Sequence, residues 1–245
     1  MKIIEGLLHI AVNQLEMANT IYILNHYTAG VILFGDRAQL CRHSLSKVNF
    51  ENYKAVVSFV NLNNVHWKFL YINAVNQTVF LVDPAPSSTE EEDSTLAAKR
   101  ICDYLKMRRT CHGKTEWVDI KWKGGVLTHP VQRDSTSCGV IVTLMARAVI
   151  EAFPAMPVMT FGTSRKEMAN ERERLAQQIL KASVFNMADN CAMCSLAKPP
   201  GPGPHLTKWI QCDSCERWFH EQCLGMDTEE LEKARAETWN CCLCP

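Results

Sequence analysis

The cysteines of this 245-residue chain crowd toward its C-terminus, where eight of the twelve lie between Cys191 and Cys244. Together with one histidine they form four pairs of candidate ligands, with two residues between the members of each pair. These are Cys191 and Cys194, Cys212 and Cys215, His220 and Cys223, and Cys241 and Cys244. The short loop inside each pair puts both ligands on one side of a knuckle, where they bind one tetrahedral ion. Eight such ligands are enough for two zinc ions, and Cys242 is left over.

A disulfide framework is the alternative explanation for so many cysteines. Such frameworks belong to secreted domains, and a disulfide framework in this segment would leave the embedded His220 unexplained. The cysteine-rich segment has roughly 58 residues and few apolar residues for a core, so it needs bound metal ions to fold. Zinc is therefore the prediction, with Phe219, Leu224 and Trp239 as the small core of the segment.

The stretches KWIQCDSCERWFHEQCLG and WNCCLC resemble the PHD finger family. The resemblance covers about residues 188–245 and implies that the ligand pairs are cross-braced. One zinc would then be held by Cys191, Cys194, His220 and Cys223. The other would be held by Cys212, Cys215, Cys241 and Cys244, with Cys242 as a non-ligand.

Many PHD fingers read histone tails, some through an aromatic cage that attracts a methylated lysine by cation–π interaction. Trp209 and Trp218 fall at the two positions where the family's methyllysine readers place cage aromatics. The alternative is that both tryptophans only pack within the finger. The hypothesis is a two-walled cage that binds a histone tail, and the resemblance also predicts a nuclear location, with a cytoplasmic one otherwise.

The change in cysteine density predicts two domains, over residues 1–186 and 187–245. The hydrophobic content of 47% supports a real core, and zero formal net charge gives no indication of direct nucleic-acid binding through bulk charge. The apolar start of the chain carries Glu5 and His9, which favours a helix over a signal peptide. No apolar run reaches the ~20 residues that a membrane span needs.

The first domain shows both strand and helix patterns. Apolar runs predict strands over residues 54–60, 67–74 and 78–83, and the last two are joined by a hairpin-like turn. Helices are predicted over residues 3–18, around the apolar face of Ala97, Ile101, Tyr104 and Leu105, over 139–153, and from 164 to about 183. The last begins with a Ser164–Glu167 capping box and turns Leu175, Ile179 and Leu180 inward. The prediction is an α+β domain.

Cys138 lies where the polar stretch QRDSTS meets the apolar helix over 139–153. The partial positive charge at a helix N-terminus lowers a thiol pKa, and the thiolate is the nucleophile. A nucleophilic cysteine also needs a base, an orienting group and oxyanion donors. His66 opens one predicted strand and Asp83 closes the next, so a hairpin brings both to one end of the sheet. Gln132 supplies a side-chain amide close to the cysteine in sequence.

The motifs VHW, VDP and VQRDSTSCGV resemble the cysteine proteases that process SUMO and other ubiquitin-like proteins, in a papain-like clan. The resemblance covers roughly residues 1–185. It implies a papain-like fold and cleavage after a Gly-Gly C-terminus through an acyl-enzyme. His66 would be base and then acid, Asp83 its orienter, and Gln132 the oxyanion stabiliser for the nucleophile Cys138. Trp67 would cover the substrate's tail.

Two features depart from the SUMO-specific members. Those members usually carry a Trp-Leu-x-Asp motif near the start, whereas no tryptophan precedes Trp67 in this chain. The residues before the nucleophile read Asp134-Ser-Thr-Ser137 in place of the usual Asn and Asp. The choice among SUMO, ubiquitin, another modifier and a polyprotein therefore stays open. So does an alternative function, a non-catalytic chromatin reader with a degenerate or truncated protease domain, or a finger that only binds other proteins.

Overall fold

A computed structural model describes residues 2–87, 89–182, 190–194, 196–199, 207–241 and 244. The chain divides into two compact units, with the division between Ile179 and Leu180. The predicted boundary at residues 186 and 187 and the spare Cys242 both lie outside the described residues. Among the described residues, no helix is both long enough and apolar enough to cross a membrane.

The first unit is built on a five-stranded mixed sheet in which the strands lie in chain order. The strands are β1 (Ile21–Ile23), β2 (Ala55–Leu62), β3 (His66–Asn73), β4 (Thr78–Val82) and β5 (Lys123–Gly124). The three central strands are antiparallel neighbours, while β1 runs parallel to β2 and β5 parallel to β4. The predicted hairpin of β3 and β4 is therefore present.

Six helices surround this sheet. They are α1 (Lys2–Gln14), α2 (His26–Phe34), α3 (Arg37–Arg42), α4 (Glu90–His112), α5 (Cys138–Ala152) and α6 (Arg165–Ala182). α1 stops four residues before its predicted end, and the capping box of α6 forms as predicted, with Ser164 and Glu167 exchanging hydrogen bonds. The mixed helices and strands confirm the α+β class.

Both faces of the sheet are buried, which explains why its strands read as continuous apolar runs. On one face Phe69 and Tyr71 of β3 pack in a core that includes α1 and α5 residues. On the other face Leu70 and Ile72 pack in a core with α2 and α4 residues. Because side chains alternate along a strand, α5 and α4 lie on opposite sides of β3.

The second unit contains a small hairpin and two helices. They are β6 (Trp209–Gln211), β7 (Trp218–His220), α7 (Glu221–Leu224) and α8 (Thr228–Ala236). Its core is formed by Ile210, Phe219 and Leu231. Leu224 and Trp239 are only partly buried and pack against that core, so two of the three predicted core residues lie at its edge.

Candidate active site and metal-ligand clusters

The β3–β4 hairpin brings the predicted base and its orienting acid together. His66 is the first residue of β3, and Asp83 directly follows β4, whose Val82 pairs with Phe69. The hairpin turn is fixed by buried Asn73, whose side-chain oxygen accepts hydrogen bonds from the N–H groups of Val75 and Asn76. As a result, His66 Nε2 lies 2.7 Å from Asp83 Oδ1. This bond commits Nε2 and leaves Nδ1 as the ring nitrogen for proton exchange with a nucleophile.

Asp83 has further partners that the sequence patterns did not reveal. Its Oδ1 also accepts from the backbone N–H of Ala85 at 2.9 Å, and its Oδ2 lies 3.1 Å from Lys68 Nζ. Burial alone would raise the pKa of the Asp83 carboxyl, but the hydrogen bond from His66 and these other contacts outweigh burial and hold that pKa below its ordinary value. Asp83 is therefore a carboxylate at neutral pH.

Lys68 is the residue that sequence reasoning missed here. It is two positions after His66, so both side chains lie on the same face of β3, and this period of two is the signal that would have found it. Its ammonium group also lies 2.8 Å from Asp93 Oδ2 in the first turn of α4. Lys68 thus joins two carboxylates behind the His66–Asp83 pair.

Cys138 is the first residue of α5, one position before the predicted start of this helix at residue 139, and only 6% of its surface is exposed. The loop before it is organised by Asp134, whose Oδ1 accepts from the N–H groups of Thr136 and Ser137. Asp134 Oδ2 accepts from the Ser137 hydroxyl at 2.6 Å, and this hydroxyl also lies 2.8 Å from Arg172 of α6. The side-chain bond from Ser137, together with the Thr136 N–H, holds the pKa of Asp134 below its ordinary value.

Trp67 connects the histidine strand to the cysteine helix. A Cβ placed on Gly139, the residue after Cys138, would lie 3.7 Å from Trp67 Cδ1. The start of β3 and the start of α5 are therefore in contact. The ring of Trp67 also lies 5.8 Å from the ring of His26, which is held by Glu5 at 2.6 Å.

Gln132 lies on the Asp83 side of the site. Its backbone N–H donates to the Pro84 carbonyl at 2.7 Å, and its side-chain Nε2 donates to the Asp134 carbonyl at 2.5 Å. Within the described part of the chain its buried Oε1 has no hydrogen-bond partner. The same Nε2 also lies 3.5 Å from Asp134 Oδ1, so Asp134 holds the side-chain amide of Gln132, and this NH2 group is the donor suited to an oxyanion.

His129, near Cys138 in sequence, has its own partners. Its Nε2 lies 3.3 Å from Glu90 Oε2, and its Nδ1 lies 3.0 Å from the Pro130 carbonyl. Burial lowers the pKa of His129, but the hydrogen bonds with Glu90 and the Pro130 carbonyl and the nearby charges of Glu90 and Asp83 together outweigh burial, so the pKa is raised. The pair ties the loop after β5 to the start of α4.

In the second unit the candidate ligands form two clusters. One contains Cys191, Cys194, His220 and Cys223, and the other contains Cys212, Cys215, Cys241 and Cys244. Within each cluster all ligand atoms lie within 4.8 Å of one another. Tetrahedral zinc with Zn–S bonds near 2.3 Å separates its sulfurs by about 3.8 Å, and Cys215 and Cys241 have sulfurs 3.8 Å apart. The donor sets and spacing therefore fit zinc.

Backbone N–H groups support these clusters from outside. The N–H of His220 donates to the sulfur of Cys191 at 3.3 Å, and that of Cys241 donates to the sulfur of Cys212 at 3.2 Å. Such bonds orient thiolate ligands and stabilise their charge.

The two tryptophans of the proposed cage lie on the same face of the small hairpin. Trp209 pairs with His220, while Trp218 pairs with Gln211, and alternation puts these side chains opposite the buried Ile210 and Phe219. Both indoles are partly exposed. Trp209 also packs on the candidate ligand His220, with ring centroids 3.9 Å apart, so packing and cage formation are compatible for this residue.

Fold and site together define the class. The histidine–carboxylate pair lies at one end of the sheet, and Trp67, the residue after the histidine, lies near Gly139, the residue after a cysteine at a helix N-terminus. This is the arrangement of a papain-like cysteine peptidase domain. A module with two cross-braced Cys/His clusters follows it.

The comparisons with known proteins agree with this class. Residues 35–184 match the Ulp1 protease family, C-terminal catalytic domain, and residues 191–244 match the PHD-finger. The chain therefore belongs to the Ulp1 protease family and carries a C-terminal PHD finger.

Two solved Ulp1 protease structures show the same fold. The yeast Ulp1 protease domain in complex with Smt3, the yeast ortholog of SUMO, has a TM-score of 0.54 at 19% identity, over 73% of this chain and 75% of that chain. A structure of the SUMO protease Ulp1 whose catalytic cysteine is oxidised to a sulfenic acid has a TM-score of 0.54 at 17% identity, over the same shares. The Xanthomonas campestris effector XopD bound to ubiquitin gives 0.47 at 18% identity, over 71% and 89%.

Proposed function

We propose that this chain is a cysteine peptidase that hydrolyses the C-terminal Gly-Gly peptide or isopeptide bond of a ubiquitin-like modifier. The observation that carries the proposal is the His66–Asp83 bond of 2.7 Å on a strand whose Trp67 lies near Gly139 in the helix that begins with Cys138. Family membership and the Smt3 bound to the related yeast domain support a modifier as substrate.

In the proposed reaction His66 takes the proton of the Cys138 thiol through Nδ1, and the thiolate attacks the scissile carbonyl. The carbonyl electrons move to oxygen, where the Cys138 N–H and the side-chain amide of Gln132 stabilise the oxyanion. The intermediate collapses, His66 gives its proton to the leaving amine, and a thioester remains. His66 then removes a proton from water, the hydroxide displaces the thiolate, and the modifier leaves as a carboxylate. Asp83 keeps the ring oriented throughout.

The test is capture of the nucleophile by modifiers that bear an electrophile at the C-terminus. SUMO, ubiquitin and other ubiquitin-like proteins would each be mixed with the wild-type chain, Cys138→Ala and Cys102→Ala. We expect a covalent adduct with at least one modifier in wild type and Cys102→Ala, and none in Cys138→Ala. Absence of any adduct from folded, zinc-loaded protein would refute the peptidase and favour the non-catalytic reader.

We propose that the PHD finger binds two structural zinc ions, one in each four-ligand cluster. Zinc there joins distant segments of a small unit, and its chemistry is purely structural because each cluster uses four protein ligands. Metal analysis of the purified full chain should give two zinc equivalents. A single equivalent would contradict the count.

We propose further that Trp209 and Trp218 form two walls of a histone-tail site, which would dock the peptidase on chromatin and place it in the nucleus. Their position on one face of the hairpin supports this. Methylated and unmethylated histone-tail peptides would be titrated into the full chain, Trp209→Ala and Trp209→Phe. We expect tighter binding of a methylated peptide, lost with alanine and largely kept with phenylalanine, whereas equal affinities would refute the cage.

The nuclear location has its own test, which is imaging of the tagged chain in cells. We expect nuclear signal that weakens in Trp209→Ala. A uniformly cytoplasmic signal would contradict it.

A further inference from the structure

Lys68 occupies an unusual place for a lysine. Only 12% of its side chain is exposed, and its ammonium lies between two carboxylates, 3.1 Å from Asp83 Oδ2 and 2.8 Å from Asp93 Oδ2. A lysine is rarely buried to this extent unless it is paired. The two contacts therefore hold the ammonium at a fixed place behind the candidate active site.

The arrangement also fixes the carboxylates. Since both oxygens touch the same nitrogen, they lie within about 6 Å of each other, a range at which like charges disfavour ionisation. The ammonium offsets that repulsion. It also uses Oδ2 of Asp83, so that the other oxygen, Oδ1, faces His66.

We propose that Lys68 is a positioning residue for the reaction: it locks the rotamer of Asp83 and sets how much negative charge the His66 ring experiences. The proposal rests on the proposed peptidase function. It adds a fourth residue, with Asp93 as its anchor, to the set of His66, Asp83 and Cys138.

The charged and titratable groups around Lys68 and its partner Asp83 come from β3, from α4 and from the loops that follow β4 and β5. They are His66 on β3, Asp83 after β4, Asp93 and Glu90 on α4, and His129, which is paired with Glu90. Removing the ammonium leaves an excess of negative charge beside His66. A more negative surrounding favours the imidazolium form of the ring.

The experiment is a ¹⁵N NMR titration of the histidine side chains in the full chain, with the His66 signal assigned by its loss in His66→Gln. We expect Lys68→Met to raise the His66 midpoint by about 0.5 to 1 pH unit, the size of one nearby, partly screened charge. Lys68→Arg should leave the midpoint where it is. The matched control is Lys123→Met, an exposed lysine on β5 at the other end of the sheet, and it should also change nothing.

Asp93→Asn is a second variant that tests the proposal if Lys68→Met does not fold. It removes the negative charge of Asp93, the more exposed of the two carboxylates that contact Lys68, so the His66 midpoint should fall. An unchanged midpoint in both Lys68→Met and Asp93→Asn would overturn the proposal, and so would an equal shift in Lys123→Met.

Modifier capture separates this proposal from the proposed function. At saturating electrophilic modifier, Lys68→Met should slow adduct formation about tenfold with little change in half-saturation, and Lys68→Arg should restore most of the rate. If wild type forms the adduct but Lys68→Met matches its rate, the role of Lys68 is refuted and the peptidase stands. If wild type forms no adduct, both proposals fall.

Discussion

Replacing Asp83 with asparagine tests the proposed catalytic machinery most quantitatively. Asparagine keeps the shape and an oxygen that can accept from His66, but it removes the negative charge. The His66–Asp83 bond of 2.7 Å is short and charged, and hydrogen bonds to charged groups contribute about 1.5 to 3 kcal/mol. The imidazolium forms during the reaction, so this energy is lost mainly from the transition state.

At 1.36 kcal/mol for each factor of ten, that loss corresponds to a decrease of about 10-fold to 150-fold in kcat/KM. The assay is release of a fluorescent amine from the C-terminus of the modifier that captures Cys138. The matched control is Asp119→Asn, an exposed aspartate, which should retain wild-type rates. A fully active Asp83→Asn would refute the role given to the pair.

Three further predictions concern stability and metal. Arg108 is fully buried, donates to three backbone carbonyls and lies 4.4 Å from the Phe50 ring. Arg108→Ala should therefore lower the free energy of unfolding, measured in urea, by about 3 to 5 kcal/mol. A loss below about 1 kcal/mol would contradict this. Because the pKa of Asp83 is depressed in the fold, its stabilisation is present above its unfolded pKa of about 4 and is lost as pH falls through the folded pKa. The difference in unfolding free energy between wild type and Asp83→Asn should therefore shrink below about pH 4, and a difference constant down to pH 2 would disprove it. A strong zinc chelator should remove the protection of the second unit from proteolysis, as should Cys215→Ser; unchanged protection would show that metal is not needed for folding.

The sequence patterns predicted the parts of the site that lie on segments with a clear apolar pattern or a regular ligand spacing. The β3–β4 hairpin follows from two apolar runs around a polar turn, and it brings His66 and Asp83 to one end of the sheet. The four ligand pairs follow from regular spacing, since each pair forms one knuckle, whereas their cross-braced grouping into two clusters follows from the resemblance to PHD fingers.

The missed features depend on contacts between segments far apart in the chain. β1 and β5 are only three and two residues long, and they exist because neighbouring strands offer hydrogen-bonding edges. α2 was missed because it is apolar on nearly every side and lacks helical periodicity. Lys68 and Asp93 are 25 residues apart, and no local pattern predicts their pairing.

The central claim is that Cys138 is the nucleophile for the C-terminus of a ubiquitin-like modifier. The most direct measurement is peptide mapping by mass spectrometry of the adduct with an electrophilic modifier, to identify which of the twelve cysteines carries it. The account predicts a single modified residue, Cys138, with the finger's cysteines unmodified. Attachment at another cysteine, or no attachment in zinc-loaded protein, would contradict it.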